Sequence, residues 1–345
     1  MTSPLSIALI GAGLIGQRHA NLIDASDEMQ LAAIVDPSDA ARQLADDRGT
    51  PWYARMEELF DRHQPDGVII ATPNQLHRAH ALAAVSAGIP VLIEKPIADT
   101  VNAAAEIVAA GDAAGVPILV GHHRRHNPLI AQAKVRIEAG DLGQLVAAHA
   151  SFWILKPDAY FEVDWRRQPG AGPVFINLIH DIDLMRHLCG EIVEVTAIES
   201  NTIRGNPVED TAAALLRFAN GAIGTVTASD TITAPWSWEQ TAGENPAYPK
   251  TEETAYMIGG THGSLSIPRL ELWRHPGPRG WWEPIEATRD SVAEADPLIR
   301  QLAHFARVIR GEEPPLVSGT EGLATLRVVA AIKRSAQSRT PIATL

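Results

Sequence analysis

The sequence has a single cysteine and no long hydrophobic run. One cysteine, Cys189, excludes an internal disulfide and a cysteine-rich zinc site, and it is typical of a protein from a reducing compartment. No apolar stretch reaches the ~18 residues that a membrane-spanning helix needs, and no basic segment precedes the short apolar run near the amino terminus. We therefore expect a cytoplasmic protein that binds neither a membrane nor a metal.

Positive charge is also scarce. The chain has 29 lysine and arginine residues against 41 aspartate and glutamate residues, which gives a formal net charge of −12. Such a field repels phosphate backbones and anionic lipids, so nucleic-acid binding is not expected. With 345 residues, 46% hydrophobic and 20% charged, the chain is long and apolar enough for more than one hydrophobic core.

The first third of the chain alternates short aliphatic runs with helical patterns. The runs are apolar throughout, which indicates strands covered on both faces, and the alternation predicts a doubly wound parallel sheet of the Rossmann type. The predicted strands are residues 5–10, 31–36, 67–71, 90–94 and 117–121, and the predicted helices are residues 14–24, 39–48, 75–87 and 100–114.

The pattern changes after about residue 122. Long strand-like segments follow, with a hairpin signal at Asn220-Gly221, a helix predicted over 174–188 and two closing helices over 298–310 and 321–338. We predict an NAD-binding Rossmann domain at 1–122. An α+β domain at 123–345, with a large and mostly antiparallel open sheet, is predicted to serve substrate binding and oligomerisation. Residues 233–250 are predicted to form a long loop or lid.

A glycine-rich motif directly follows the first predicted strand and opens the first helix. It matches GxGxxG as Gly11-Ala12-Gly13-Leu14-Ile15-Gly16. In this context each glycine has a mechanical function: Gly11 permits the tight turn, Gly13 lets the backbone approach a pyrophosphate, and Gly16 lets the helix pack close to the strand. The free N–H groups at the helix start then favour the phosphate charge. A glycine-rich β-turn without a ligand is the alternative.

Asp36 lies twenty residues beyond Gly16, at the end of the second predicted strand. A carboxylate there accepts hydrogen bonds from the adenosine ribose hydroxyls and repels a 2′-phosphate. The sequence therefore favours NAD over NADP as the cofactor. The alternative is that Asp36 only starts a turn at Pro37.

Further polar segments stand at the carboxyl ends of the predicted strands, where open α/β sheets bind ligands. They are Ala71-Thr72-Pro73-Asn74 with His77, Glu94-Lys95-Pro96, residues 121–125, residues 170–180 with Asp183, and residues 296–319. With the glycine motif, these segments resemble the Gfo/Idh/MocA (glucose–fructose oxidoreductase / inositol dehydrogenase) family over nearly the whole chain, and the Glu-Lys-Pro tripeptide is the most specific of them.

The resemblance implies an NAD(P)-linked dehydrogenase acting on a sugar, cyclitol or related polyol. Carried over residue by residue, Lys95 reaches the reacting oxygen and His180 is the acid/base. A cis bond before Pro96 aims Lys95, and Glu94 lies near the nicotinamide ribose. The segment after the third predicted strand is also expected to bind the cofactor, through Ala71, Thr72, Pro73, Asn74 and His77.

The chemistry supports these functions without the family. Hydride transfer from an alcohol requires a base for the hydroxyl proton, and an imidazole titrates near neutral pH. An ammonium at a strand end stabilises developing alkoxide charge. The alternatives are that Lys95 pairs with Glu94 at the surface and that His180 is a structural histidine.

One departure concerns the helix of His180. The related dehydrogenases commonly carry an aspartate four residues before the histidine, where this chain has Ile176. Asn177 and Asp183 lie three residues before and after His180, on about the same helix face, and we expect them to bind substrate. An amide cannot supply a carboxylate's charge. Either His180 is less basic and Lys95 carries more of the proton transfer, or Asn177 serves chiefly to bind substrate. In both cases plain myo-inositol is disfavoured as substrate.

Three more residues are candidate substrate contacts. Arg125, in the basic cluster 122–126, is placed to meet a substrate oxygen or the cofactor, although a solvated turn explains the cluster equally well. Trp153 and Trp165 precede the His180 helix, and an indole suits the C–H face of a sugar. In the resembled family the exposed sheet face packs against a second copy, so we expect a homo-oligomer, a dimer or tetramer.

Other functions remain open at this point. Dihydrodiol oxidation and redox-assisted glycoside cleavage use the same fold. A catalytically silent sugar- or NAD-sensing regulatory protein is the alternative from a different class, although the presence of both Lys95 and His180 argues against it.

Overall fold

The computed structural model describes residues 3–344, and its amino-terminal part forms a parallel six-stranded sheet with flanking helices. Met1, Thr2 and Leu345, which the sequence analysis included in its two domains, lie outside the described residues. The strands are β1 (Leu5–Ile10), β2 (Met29–Val35), β3 (Trp52–Tyr53), β4 (Gly67–Ile70), β5 (Val91–Ile93) and β6 (Ile118–Val120). The helices are α1 (Leu14–Asp24), α2 (Asp39–Asp46), α3 (Met56–Phe60), α4 (Asn74–Ser86) and α5 (Val101–Ala114).

The strand order of this sheet is β3-β2-β1-β4-β5-β6, and all neighbouring strands run parallel. Strands β4, β5 and β6 are buried at every residue, as their uninterrupted apolar sequences predict. The order reverses between β1 and β4, and such a switch point opens a ligand crevice at the carboxyl ends of the strands. The predicted doubly wound fold is confirmed.

The later part of the chain builds a nine-stranded sheet and further helices. The strands are β7 (Leu145–Trp153), β8 (Ile192–Ser200), β9 (Thr211–Phe218), β10 (Ile223–Ser229), β11 (Tyr256–Gly260), β12 (Gly263–Ile267), β13 (Glu271–Arg274), β14 (Glu286–Arg289) and β15 (Ile342–Ala343). The α-helices are α6 (Pro128–Glu138), α7 (Ile179–Cys189), α8 (Trp238–Thr241), α9 (Pro297–Ile309) and α10 (Gly319–Ser338). Across residues 3–344, none of the helices combines the length and hydropathy of a membrane-spanning segment.

The order of the second sheet is β14-β13-β12-β11-β7-β10-β9-β8-β15. Among the strands of this sheet within residues 3–344, β7 and β10 are the one parallel pair, so the prediction of a mostly antiparallel sheet is confirmed. The hairpin predicted at Asn220-Gly221 joins β9 to β10, and Gly221 has φ +88°, in the left-handed region that glycine adopts without strain.

The contacts divide the chain into two compact units. The first contains the residues up to His123 and also Pro297–Leu326, and the second contains Arg124–Asp296 and the residues from Arg327 onward. The predicted domain boundary at residue 122 places residues 297–326 in the later domain. They belong to the first unit because Val120 N–H donates to the Val317 carbonyl (2.8 Å) and because α9 packs on β4, where Ile309 and Phe305 cover Gly67.

The nine-stranded sheet has one covered and one open face. On β9 the side chains alternate, with Ala212, Ala214, Leu216 and Phe218 buried in the core of the second unit. The opposite face exposes large apolar side chains, among them Ile198 (70%), Leu215 (60%), Ile223 (64%) and Met257 (53%). Helix α7 belongs to the covered side, and ten of its residues are buried.

The segment 233–250, predicted as a loop or lid, is anchored in the second unit. Ser237 caps the short helix α8 through the Gln240 N–H, and Trp238 is only 1% exposed. The Trp238 ring stacks on Tyr256 with centroids 5.8 Å apart. The buried Trp238 indole anchors this segment in the second unit. The amino-acid composition of the segment does not predict this anchor.

Candidate active site

The turn after β1 needs glycine at two positions. Gly11 has φ +95°, and a Cβ there would lie 2.7 Å from the carbonyl carbon of Ala71. A Cβ on Gly16 would lie 2.1 Å from the carbonyl oxygen of Gly11, so α1 packs against the turn at backbone distance. Gly13 faces open space, with no atom within 4 Å of a Cβ position. Gly11 and Gly16 thus show the tight turn and the close packing that the motif predicts, and the approach of Gly13 to a pyrophosphate stays a prediction.

The amino terminus of α1 is open to a ligand. Gly13 provides no side-chain cap for the first N–H groups, and the Leu14 side chain is 88% exposed. The start of a helix carries a partial positive charge and free donors, which suit a phosphate. The uncapped helix start and the open space at Gly13 together fit the pyrophosphate of NAD. Contact of the cofactor with Gly11, Gly13, Leu14, Ile15 and Gly16 stays a prediction.

The Asp36 carboxylate is already engaged in local structure. Its Oδ2 accepts the Ala12 N–H (2.9 Å), and its Oδ1 accepts the N–H (2.9 Å) and hydroxyl (2.6 Å) of Ser38. Partial burial raises the pKa of Asp36, but these hydrogen bonds outweigh burial, and the resulting pKa lies below the ordinary value. A carboxylate has about four acceptor positions, so the ionised group retains capacity for ribose hydroxyls.

We predict that Asp36→Asn lowers the affinity for NAD⁺ by about 10-fold or more. It also reduces the difference between the affinities for NAD⁺ and for NADP⁺. The amide keeps the shape but loses the negative charge, and hydrogen bonds to a charged group contribute ~1.5–3 kcal/mol. Calorimetric titration of both dinucleotides measures the effect. Ser38→Ala is the control, because it removes one partner of Asp36 and leaves the carboxylate. An unchanged NAD⁺ affinity in Asp36→Asn would show that Asp36 serves only the turn.

The segment after β4 is held from behind by a histidine. His77, only 1% exposed, has Nε2 2.8 Å from the Thr72 carbonyl oxygen and Nδ1 2.9 Å from the Pro96 carbonyl oxygen. Burial lowers the pKa of His77, and the neutral ring donates to one of these carbonyls. His77 thus links the loop that contains Thr72 to the loop that contains Lys95 and Pro96. Direct contact of the cofactor with Ala71, Thr72, Pro73, Asn74 and His77 stays a prediction.

The Glu-Lys-Pro tripeptide begins where β5 ends, and the Lys95–Pro96 bond is cis, as predicted. Glu94 is buried, and its Oε1 lies 2.8 Å from Nε2 of His19 on α1. Burial raises the pKa of Glu94, but the contact with His19 outweighs it and the pKa lies below its usual value. Sequence reasoning missed His19, although its place one turn after Gly16, on the packed side of α1, is a usable signal.

His180 lies near the start of α7 and is 7% exposed. The sequence predicts one helix over 174–188, but its first turn, Val174–Leu178, is π-helical. The carboxylate of Glu209 accepts the Val174 N–H (3.2 Å) and fills the space beside Gly172, where a Cβ would lie 2.2 Å from Glu209 Oε1. π-Helical turns are frequent at functional sites, and this one carries Asn177.

Lys156 is a residue that sequence reasoning missed. It follows β7, and its Nζ donates to Oδ1 of Asn177 at 2.8 Å. Asp230 Oδ2 lies 3.8 Å from the same ammonium. Burial lowers the pKa of Lys156 below that of an ordinary lysine. The structure therefore gives Asn177, a predicted substrate contact, a cationic partner.

Arg125 and Asp183 form a buried ion pair. The guanidinium donates from Nε (2.8 Å) and Nη2 (2.7 Å) to the two carboxylate oxygens, and the side chains are 3% and 1% exposed. The structure thus brings these two predicted substrate contacts together, facing each other. Their direct contact with substrate stays a prediction.

The neighbouring Arg124 is also paired with α7. It donates to Asp181 Oδ1 (3.3 Å) and to Glu239 Oε1 (2.6 Å), and the Tyr256 hydroxyl donates to the same Asp181 oxygen. Burial raises the pKa of Asp181 to about 7. A buried network of this kind fixes the start of α7, and with it the residue next to Asp181, His180.

The two predicted tryptophans differ in environment. Trp153 is half-buried, with Nε1 donating to Thr227 Oγ1 (2.9 Å) and its ring edge-to-face with Trp236 at 5.6 Å. Trp165 is 54% exposed beside Arg166, whose guanidinium lies 5.6 Å from the indole centroid. Trp165 therefore has an open face of the kind that a sugar ring covers, whereas Trp153 is partly committed to packing.

Two family models match this chain, one in each of its two sheets. Residues 5–122 match the model of the oxidoreductase family with an NAD-binding Rossmann fold, and residues 130–266 match the GFO/IDH/MocA C-terminal domain. The chain is 30% identical to 1,5-anhydro-D-fructose reductase of Ensifer adhaerens, over 81% of this chain and 80% of that protein. It is 28% identical to scyllo-inositol 2-dehydrogenase (NAD(+)) of Bacillus subtilis (strain 168), over 99% of this chain and 97% of that protein.

A solved structure has the same fold along nearly the whole chain. The WlbA dehydrogenase from Bordetella pertussis, in complex with NADH and UDP-GlcNAcA, is 25% identical and superposes with a TM-score of 0.81, over 99% of this chain and 98% of that one. The two matched family models and the glycine turn that fits NAD agree with each other. The chain belongs to the GFO/IDH/MocA family of NAD-binding oxidoreductases.

Proposed function

We propose that this protein is an NAD-dependent dehydrogenase that oxidises a secondary hydroxyl of a sugar, cyclitol or related polyol. The observation that carries the proposal is the placement of Glu94-Lys95-Pro96 at the carboxyl end of β5, held by the buried His19 and His77, in a sheet whose first turn fits NAD. The names of the relatives, a reductase of an anhydro sugar and a dehydrogenase of an inositol, support the substrate class.

Lys95 and His180 are the proposed acid/base pair. NAD, when bound, supplies the acceptor for the hydride. His180 takes the hydroxyl proton on an imidazole nitrogen, the type of group that ordinarily serves as a base near neutral pH. The Lys95 ammonium stabilises the negative charge that develops on the same oxygen. Asn177, Asp183, Arg125, Trp153 and Trp165 are the proposed substrate-binding residues.

The open face of the nine-stranded sheet supports a homo-oligomer. Ile198, Leu215, Ile223 and Met257 would expose a wide apolar surface to water in a monomer. We propose that a second copy of the chain covers this face, in a dimer or tetramer. Light scattering of the purified protein measures its mass in solution, and a monomeric mass would refute the proposal.

The function is tested by a screen for reduction of NAD⁺, read as NADH absorbance, against cyclitols, aldoses, uronates, glycosides and cis-dihydrodiols. We expect NADH formation with a polyol or sugar that carries a secondary hydroxyl. NADH from the dihydrodiols alone would indicate a dihydrodiol dehydrogenase, and cleavage of a glycoside without net NADH would indicate redox-assisted cleavage. Binding of NAD⁺ with no turnover on any compound would favour the regulatory alternative.

A further inference from the structure

The ammonium of Lys156 has more hydrogen-bonding capacity than its protein neighbours use. Its side chain is 11% exposed, and within residues 3–344 its one hydrogen bond goes to Asn177 Oδ1. The Asp230 carboxylate, at 3.8 Å, is too far for a hydrogen bond. An ammonium has three donors, so two of them make no hydrogen bond within these residues. The Tyr160 ring covers one side of the ammonium, with its centroid 5.0 Å from Nζ, and a ligand would approach from another side.

The carboxylates that face Lys156 are each bound by another cation. Asp230, Glu239 and Glu209 are the acidic groups that act on the ammonium, and Arg204 is the nearby like charge. Their closest cationic contacts are Arg204 Nε to Asp230 (2.8 Å), Arg124 Nη2 to Glu239 (2.6 Å) and Lys333 Nζ to Glu209 (2.6 Å). The Lys156 charge is therefore not fully neutralised by these carboxylates, and its burial makes a negatively charged ligand favourable.

The hydrogen bond to Lys156 also fixes how the Asn177 amide points. Because Oδ1 accepts from Nζ, the Nδ2 group turns away from the ammonium and is available as a donor. Asn177 lies three residues before His180, about one helical turn. Near the proposed base His180, the Asn177 amide therefore presents its N–H donors and not its oxygen, and the positively charged Lys156 ammonium lies next to it.

We propose that Lys156 and Asn177 form a subsite for a carboxylate of the substrate, which makes the substrate a polyol acid such as an aldonate or a uronate. One ammonium and one amide match the single charge and two oxygens of a carboxylate, whereas a phosphate dianion needs more positive charge than this pair supplies. The inference rests on the proposed function, since it places the carboxylate beside the hydroxyl that His180 deprotonates.

The test compares acids with neutral compounds that have the same hydroxyls. D-glucuronate is paired with D-glucose, and D-gluconate with D-glucitol. Binding of each to the NADH-saturated protein is measured by calorimetry, and kcat/KM is measured wherever turnover occurs. In the wild-type protein we expect at least one acid to bind about 10- to 100-fold more tightly than its neutral partner, the range for hydrogen bonds to charged groups.

Lys156→Met is expected to abolish this preference, because it keeps the length of the side chain and removes the charge and donors. Lys156→Arg is expected to keep part of it. Lys250→Met is the matched control, since the Lys250 side chain is 45% exposed in the same unit and pairs with the exposed Glu294. Thermal unfolding of each variant separates a loss of fold from a loss of binding.

The proposal is overturned if no acid binds more tightly than its neutral partner, or if Lys156→Met weakens both members of a pair equally. Tighter binding of D-glucose 6-phosphate than of D-glucuronate would also overturn it, in favour of a phosphate. The two proposals fail separately. Selective binding of acids without NADH formation on any compound would refute the dehydrogenase and leave the subsite, whereas turnover of neutral polyols without any preference would refute only the subsite.

Discussion

Replacing Lys95 or His180 with alanine is expected to lower kcat by ~10²-fold or more while the protein still binds NAD⁺. General acid–base catalysis contributes about 10²- to 10⁴-fold, and stabilisation of a developing oxyanion contributes about as much. Neither side chain belongs to the Gly11–Gly16 turn or to α1, the proposed site of the pyrophosphate. The rate of NADH formation with the substrate identified by the screen, and calorimetric titration of NAD⁺, provide the two measurements.

The controls for this prediction come from the same chain. Lys250→Ala removes an exposed lysine and His262→Ala an exposed histidine, both outside the proposed machinery. We expect both to keep near wild-type turnover. Near-normal turnover in Lys95→Ala or His180→Ala would remove that residue from the proposed pair. A parallel loss of NAD⁺ binding would mean that the substitution disturbed the cofactor site instead.

The two histidines around Lys95 give this residue a defined position. His19 reaches the strand end from α1 and binds Glu94, and His77 reaches it from α4 and contacts the Pro96 carbonyl. The residues on both sides of Lys95 are therefore fixed by buried contacts from two different helices. A catalytic ammonium gains from such support, because a small misplacement of a reacting group costs a large part of its rate.

The elements best predicted from the sequence are those whose signals are local. Strand β1 and helix α1 were predicted to the residue, because an apolar run, a glycine turn and a helical pattern follow each other directly. The hairpin between β9 and β10 was predicted as well, because Asn220-Gly221 is a strong local turn signal. Several elements without a prediction are short or exposed: β3 and β15 have two residues each, α8 four, α3 five, and β14 is exposed throughout. Helix α6 was also not predicted, although it has eleven residues and its start carries two local signals, the Asn127 cap and Pro128.

The parts of the candidate site that could not be predicted depend on contacts between distant residues. His19 meets Glu94 across 75 residues, Lys156 meets Asn177 across 21, and Arg125 meets Asp183 across 58. The π-helical turn before His180 depends on Glu209, 35 residues beyond Val174. The sequence shows which residue types are present and what chemistry each can perform. Which residues contact each other is determined by the fold.

Arg125→Met is expected to destabilise the second unit by about 3–5 kcal/mol, the range for removing one partner of a buried ion pair. The substitution leaves the Asp183 carboxylate, 1% exposed, without the guanidinium that binds both its oxygens. Urea denaturation followed by circular dichroism gives the change in the free energy of unfolding. Arg217→Met is the control: Arg217 is 66% exposed and 3.6 Å from Glu194, and such surface pairs contribute at most about 1 kcal/mol.

The same variants separate the two interpretations of Arg125 and Asp183. If the pair is structural, Arg125→Met loses stability, and the double variant Arg125→Met/Asp183→Leu recovers much of it, because no unpaired charge remains buried. If Arg125 binds substrate, KM rises for Arg125→Met and stays high in the double variant. A stable Arg125→Met protein with a raised KM would therefore contradict the structural interpretation. Recovery of stability with an unchanged KM would remove both residues from the proposed substrate contacts.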